Sequence, residues 1–309
     1  MPGRFLADRP SPAVIDRAPT STTSVICGCA MLRKALILLG AICIVALAVP
    51  TVAFGDTRHV VLSSQTVSVR VQTAPGTSPS AAVVVASGID GWRGLASDVG
   101  ERLSTDGYAV IGLDTRSYLI EATRRSGALS PAAVAEDYLV VLRRVHEWFP
   151  DLRRVFLLGV SEGAALALVA AADPRVGLQL AGVVGLETPG TVSLRSPYWT
   201  WTSWITHKDE DTVPIAAVDY VAAVAPIPVA FIYGTHDMAG ATETAQTIFD
   251  RGGEPRRLAV IETERLLFDD AREQLFDTIH DCLAWSTHVT RPSSTQVSVV
   301  GVLRSRGTP

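Results

Sequence analysis

Val155-Phe156-Leu157-Leu158-Gly159-Val160-Ser161-Glu162-Gly163-Ala164-Ala165-Leu166-Ala167-Leu168 decides how the rest of this chain reads. Val155 to Gly159 is a short apolar run with a β-branched and an aromatic residue, bounded by glycine, which predicts a strand. From Ala164 onward the residues are strong helix formers, so Ser161 to Ala172 predicts a helix. Between them lies Gly159-Val160-Ser161-Glu162-Gly163, a G-x-S-x-G. In a chain of this size that pattern is weak alone, but a strand before it and a helix after it are the setting of a nucleophile elbow. The serine would stand above a sheet, and the N–H of Glu162, at a helix N-terminus, would face a developing oxyanion. The competing reading is a serine that merely caps an ordinary helix.

Outward from the elbow, strand and helix signals alternate. Val60 to Leu62 and Val67 to Val71 predict a leading hairpin, and Ala81 to Ala86 a strand buried on both faces. A helix carries Leu95, Val99 and Leu103 on one face, and Tyr108 to Leu113 is the next strand. Ser130-Pro131 starts a helix with Val134, Tyr138, Val141, Leu142, Val145 and Trp148 at helical spacing. After the elbow come strands at Leu180 to Leu186, Val229 to Tyr233 and Leu258 to Ile261. A helix over Ala241 to Asp250 lies between the last two, and a closing helix over Leu267 to Trp285 follows them. Pro189 to Val213 is irregular and rich in tryptophan. Repeated strand–helix units predict an α/β fold of the α/β-hydrolase type, with a mainly parallel central sheet flanked by helices on both faces.

The chain has 309 residues, 48% of them hydrophobic, which suffices for one large core. A net charge of −4 without a basic cluster argues against a nucleic-acid partner. Of the four cysteines, Cys27 and Cys29 form a C-x-C with no matching pair downstream, so neither a zinc site nor another metal centre is expected, and no cofactor is implied. Residues 1–30 read as disordered, or as an extension upstream of the true start. Residues 31–55 read as a signal peptide, with Arg33 and Lys34 before the apolar run Ala35 to Val49, or as an uncleaved anchor. Residues 56–290 form the α/β-hydrolase domain, and 291–309 a flexible tail. The expected location is periplasmic or extracytoplasmic, with residues 35–52 as a candidate inner-membrane anchor. If the apolar run is removed, only Cys282 remains and no internal disulfide can form.

A second oxyanion donor is expected in the loop after the early buried strand, Ser87-Gly88-Ile89-Asp90-Gly91-Trp92, with Ile89 as the donor. The acid is expected after a later strand, where Asp237 follows Tyr233-Gly234-Thr235-His236; the alternative is a plain loop aspartate or helix cap. A histidine is expected after Ile261, but Glu262 to Asp269 contains none, and a serine without a base is a poor nucleophile. Of the six histidines, His59 precedes the sheet, His146 and His280 fall within helices and read as structural, and His288 falls in the tail. His207 and His236 are the candidate substitute bases.

Three segments give the chain its resemblance to the bacterial VirJ family, which shares its fold with the C-terminal domain of AcvB. The loop Ser87 to Trp92 is similar to that family's S-G-D-G-G-W. Val110-Ile111-Gly112-Leu113-Asp114-Thr115-Arg116-Ser117-Tyr118 resembles its V-V-G-V-D-S-L-R-Y. Gly159 to Ala164 resembles its G-Y-S-F-G-A. The similarity runs from about Ala81 to the closing helix and implies a periplasmic protein of the α/β-hydrolase fold. AcvB-like members are associated with hydrolysing aminoacylated phosphatidylglycerol, and VirJ-like members with secretion in virulence. The resemblance supports Ser161 and Asp237. It departs at the family's G-x-H-x-F-type segment, where Phe268 here follows Arg265-Leu266-Leu267, and at Glu162, where the family has an aromatic residue.

Two functions of different class follow. One is an exported serine esterase acting on a small-molecule or lipid ester, aminoacyl-phospholipid esters included, at a membrane surface. Glu162 and the Asp209-Glu210-Asp211 cluster would then favour a cationic substrate, although the cluster reads first as a solvated loop. The other is a catalytically inactive binding or scaffold protein of the periplasm, linked to secretion or envelope functions. Tyr198, Trp199, Trp201 and Trp204 would form its recognition surface, unless they pack as a lid.

Overall fold

The structure, a computed structural model, describes residues 54–62, 65–126, 129–192, 215–235, 241–289 and 299–300. A nine-stranded sheet forms the centre. In chain order its strands are β1 (Phe54–Val61), β2 (Thr66–Thr73), β3 (Ala82–Ala86), β4 (Ala109–Leu113), β5 (Val155–Val160), β6 (Gly182–Leu186), β9 (Val229–Gly234), β10 (Arg256–Ile261) and β11 (Val299–Val300). A separate antiparallel pair is made by β7 (Thr191–Val192) and β8 (Ile215–Ala216). The spatial order in the large sheet is β1-β2-β4-β3-β5-β6-β9-β10-β11. The β1–β2 and β2–β4 pairings are antiparallel and the others parallel, so the expected hairpin leads a mainly parallel sheet.

The helices are α1 (Leu95–Thr105), α2 (Thr115–Ser126), α3 (Pro131–Trp148), α4 (Glu162–Ala171), α5 (Pro174–Gly177), α6 (Ala241–Arg251) and α7 (Arg272–His288). They cover both faces. Ala82 and Val84 of β3, with Val155 and Leu157 of β5, pack with α3 and α4; Ala81, Val83, Val85, Phe156 and Leu158 pack with α1 and α7. The run Ala81 to Ala86 is apolar throughout because both of its faces are covered. Every residue of α4 from Gly163 to Ala171 is buried, as expected of a helix apolar on all sides. At α3 the Ser130 Oγ accepts the Ala133 N–H (3.2 Å) and Pro131 takes the first helical position. The Tyr118 hydroxyl of α2 donates to buried Asp137 of α3 (2.9 Å), which ties two helices of one face together.

The closing helix begins at Arg272, five residues later than its periodicity predicts. Leu267 (φ 56°) and Phe268 (φ 58°) are in left-handed conformations that no α-helix can continue through. His59 lies within β1, His146 and His280 are exposed on α3 and α7, and His288 ends α7 rather than belonging to a tail. Cys282 is free and buried, and burial pushes its thiol up to about 11. Among the described residues no helix is long and apolar enough to cross a membrane. The leader, residues 35–52 included, and the tryptophan-rich stretch from residue 193 to 214 lie outside the described residues, as do the other three cysteines.

Candidate active site

The strand order reverses between β3 and β5: the chain passes from β3 to β4 on one side, then to β5 on the other. In such sheets the two diverging loops leave a crevice at the carboxyl edge, where ligands bind. The loops here are Ser87 to Trp92 after β3 and the G-x-S-x-G after β5.

Ser161 sits at φ 51°, ψ −120°, directly between β5 and α4. Its side chain makes no capping bond, so it is not an ordinary helix cap. Its N–H instead continues the ladder to the Leu186 carbonyl (2.8 Å), while its carbonyl accepts the Ala164 N–H (2.8 Å). One residue therefore ends the strand and begins the helix, and a serine held at positive φ costs about 1–3 kcal/mol. The motif glycines make this turn possible. A Cβ at Gly159 would lie 2.2 Å from Ala164 Cα, and one at Gly163 would lie 2.3 Å from the Ala86 carbonyl oxygen. The helix thus starts pressed against the end of β3, bringing the two loops together.

The loop after β3 is fixed by polar contacts, of which the one at Ser87 is buried. Ser87 Oγ accepts the Thr115 N–H (3.0 Å). Asp114 Oδ2 accepts the Trp92 N–H (3.3 Å) and its Oδ1 the Ser117 N–H (2.9 Å). The Trp92 ring fills a slot that exists because residues 112 and 100 are glycines; a Cβ at Gly112 would lie 2.3 Å from Trp92 Cη2. The first two family-like segments are therefore one physical unit. Beside it opens a cleft of about 440 Å³ whose lining includes Arg70, Trp92, Asp114, Ser117 and Glu121. The strands that line it, β4, β2 and β1, lie two to four strand spacings, about 10–19 Å, from the strand of Ser161.

Gly88 brings the loop over the elbow, since its Cβ position is 3.5 Å from Ser161 Cβ. Of the two expected oxyanion donors, the Glu162 N–H has no acceptor among the described residues. The Ile89 N–H is already engaged: it donates to the Glu162 carboxylate, at Oε2 (3.1 Å). The sequence suggests a backbone donor and a charged side chain at Glu162, and the structure adds that the side chain itself occupies the Ile89 N–H.

The far side of the carboxyl edge differs. After β10, where a histidine is expected, buried Thr263 donates through its hydroxyl to the Asp270 carboxylate, and Asp270 also accepts the Glu264 N–H (2.7 Å). The Thr263 hydroxyl and then the Glu264 backbone hold the Asp270 carboxyl below the usual carboxylate range. Thr235, just past β9, accepts the Thr263 N–H (3.0 Å) and donates to its carbonyl (3.2 Å). This turn is closed by hydroxyls and a carboxylate, and no imidazole joins it among the described residues. Asp237, His236 and His207 lie outside the described residues.

One carboxylate escaped the sequence reading. Glu187 follows β6 at φ 48°, and its Oε1 accepts the Gly234 N–H at the end of β9 (2.6 Å). Its signal was only an acidic residue directly after a short buried strand. The non-glycine residues with positive φ among the described residues are Ser161, Glu187, Leu267 and Phe268. Ser161 and Glu187 directly follow β5 and β6, whereas Leu267 and Phe268 lie six and seven residues past the end of β10.

A family model described as bacterial virulence protein (VirJ) matches residues 80–253. The chain belongs to the VirJ family. Its match spans both loops, the elbow and β9. Among curated proteins no relative matches. Among solved structures, this VirJ protein is similar to a dienelactone hydrolase from Anabaena variabilis, with 16% identity, TM-score 0.56, and coverage of 76% of this chain and 98% of that one. It is also similar to Est1E from Butyrivibrio proteoclasticus, with 12% identity, TM-score 0.55, and coverage of 74% and 98%. The esterase domain of a Rhodothermus marinus protein matches at 17% identity, TM-score 0.53, and coverage of 76% and 98%. At these identities the likeness establishes the α/β-hydrolase fold of the VirJ protein.

Proposed function

We propose that this VirJ protein is a serine hydrolase acting on carboxylic esters on the extracytoplasmic side of the membrane. The observation that carries the reading is Ser161 at positive φ on a strand-to-helix turn, uncapped, at the point where the strand order reverses. That geometry presents the hydroxyl to the crevice instead of to its own helix. The names of the dienelactone hydrolase and the esterase among its structural neighbours agree with an ester as substrate class.

In the proposed reaction Ser161 Oγ attacks the ester carbonyl carbon and gives up its proton to a base. The carbonyl oxygen, now negative, is held by the Glu162 and Ile89 N–H groups. The C–O bond to the alcohol breaks, and the alcohol leaves with the proton. Water then attacks the acyl-serine and releases the acid. We assign the base to His236 or His207 and its supporting acid to Asp237, with Glu187 as the rival carboxylate. The negative Glu162 side chain favours an ester bearing a cationic group, aminoacyl-phospholipid esters among them. The basic and apolar pattern of residues 33–49 supports export and a membrane-surface setting.

One observation favours a second reading, a binding or scaffold protein without turnover: the Thr263–Asp270 turn stands where the histidine is expected. A fluorophosphonate probe separates the two. Serine-dependent labelling of the purified chain, lost in Ser161→Ala by about a thousandfold or more, is the expected result. A folded protein that does not label makes it a scaffold.

A further inference from the structure

The elbow and the loop after β3 are joined by one contact that the proposed reaction does not use. The Glu162 side chain turns back from the first residue of α4, and its Oε2 accepts the Ile89 N–H at 3.1 Å. The Cβ position of Gly88 lies 3.5 Å from Ser161 Cβ and 3.6 Å from the same Glu162 oxygen. A carboxylate oxygen therefore occupies, on the loop that crosses Ser161, the donor that the oxygen of a tetrahedral intermediate requires. One N–H cannot hold both, and the two negative charges repel each other at that spacing.

We infer that Glu162 is the specificity-determining gate of the oxyanion hole. In the resting protein its carboxylate fills the Ile89 half of the hole, and Ser161 reacts with a carbonyl only once that carboxylate has swung away. This rests on the serine-hydrolase reading above. The side chain has a way out, because Glu162 is only partly buried. Its own N–H has no acceptor among the described residues, so the same residue offers one donor and covers the other. The gate discriminates by charge. An acyl group with a negative charge near its carbonyl meets both the carboxylate and an occupied donor. A neutral or cationic one displaces the carboxylate more readily.

The test uses the purified full chain, with Glu162→Ala and the nearly isosteric Glu162→Gln. Two quantities are measured: the rate of Ser161 labelling by a neutral fluorophosphonate, and hydrogen exchange at the Ile89 amide. Glu162→Ala is expected to label about tenfold faster or more, since one oxyanion donor is worth roughly a hundredfold. Glu162→Gln, which keeps an acceptor but loses the charge, falls between it and the unaltered chain. The Ile89 amide exchanges at least about tenfold faster in Glu162→Ala, as expected when its acceptor is lost. If the unaltered chain labels and Glu162→Ala is no faster, the gate is overturned and the hydrolase reading stands. Faster labelling with unchanged Ile89 exchange also overturns it, because the gain then arises elsewhere. Labelling in none of the three overturns both.

Discussion

The two halves of the carboxyl edge of this VirJ protein are built to different standards. On the β3–β5 side the turn is tightly built: glycines where a Cβ would lie within 2.5 Å of backbone atoms, a serine at positive φ, and a loop pinned by Ser87 and Asp114. On the β9–β10 side the turn is just as ordered, but threonines and a carboxylate hold it closed. Ser161 and the loop after β3 form one packed unit. A stretch from Glu262 to Asp269 without histidine is therefore compatible with an intact elbow on the other side.

The comparison breaks most sharply at the base and acid. His236→Ala, His207→Ala, Asp237→Asn and Glu187→Gln are to be measured for Ser161 labelling. The true base and acid each lower the rate by about a hundredfold or more, and the others leave it within a few-fold. If all four are silent, the β9–β10 side takes no part in the reaction. A smaller effect is expected from packing. Gly163→Ala drives a Cβ to within 2.3 Å of the Ala86 carbonyl oxygen, a backbone atom with little freedom to yield. It should destabilise the domain by about 3 kcal/mol, or lower its Tm by about 6–12 °C, as read by calorimetry.

The smallest effect sharpens the far side. Thr263→Val removes a buried hydroxyl with three hydrogen-bond partners and should cost about 1–2 kcal/mol at pH 7 in urea unfolding. The Asp270 carboxyl is held low in the folded state, chiefly by that hydroxyl. Its contribution to stability is thus present above the ordinary aspartate range and is lost as pH falls through the lowered folded value. The unaltered chain should lose more stability than Thr263→Val as pH drops below about 4. Equal acid sensitivity would mean that the Thr263–Asp270 contact does not set the behaviour of this turn.

The elbow was legible because its information is local. Gly159, Ser161 and Gly163 lie within five residues, and the strand and helix on either side announce themselves by residue type. The alternation of strands and helices was legible for the same reason. The closing helix was misplaced at its start because Leu267 and Phe268 carry no compositional sign of their positive φ.

By itself, then, the sequence determined the α/β architecture, the serine on its turn and the glycine-containing loop after β3, since each follows from short-range pattern and backbone preference. Only the tertiary structure decided the use made of them. The Glu162 contact to Ile89 joins residues 73 apart. Glu187 reaches the end of β9 across 47, and Trp92 finds its slot only once β4 and α1 are side by side. Contacts of that span depend on strand order and register, which leave no mark on neighbouring residues in the chain.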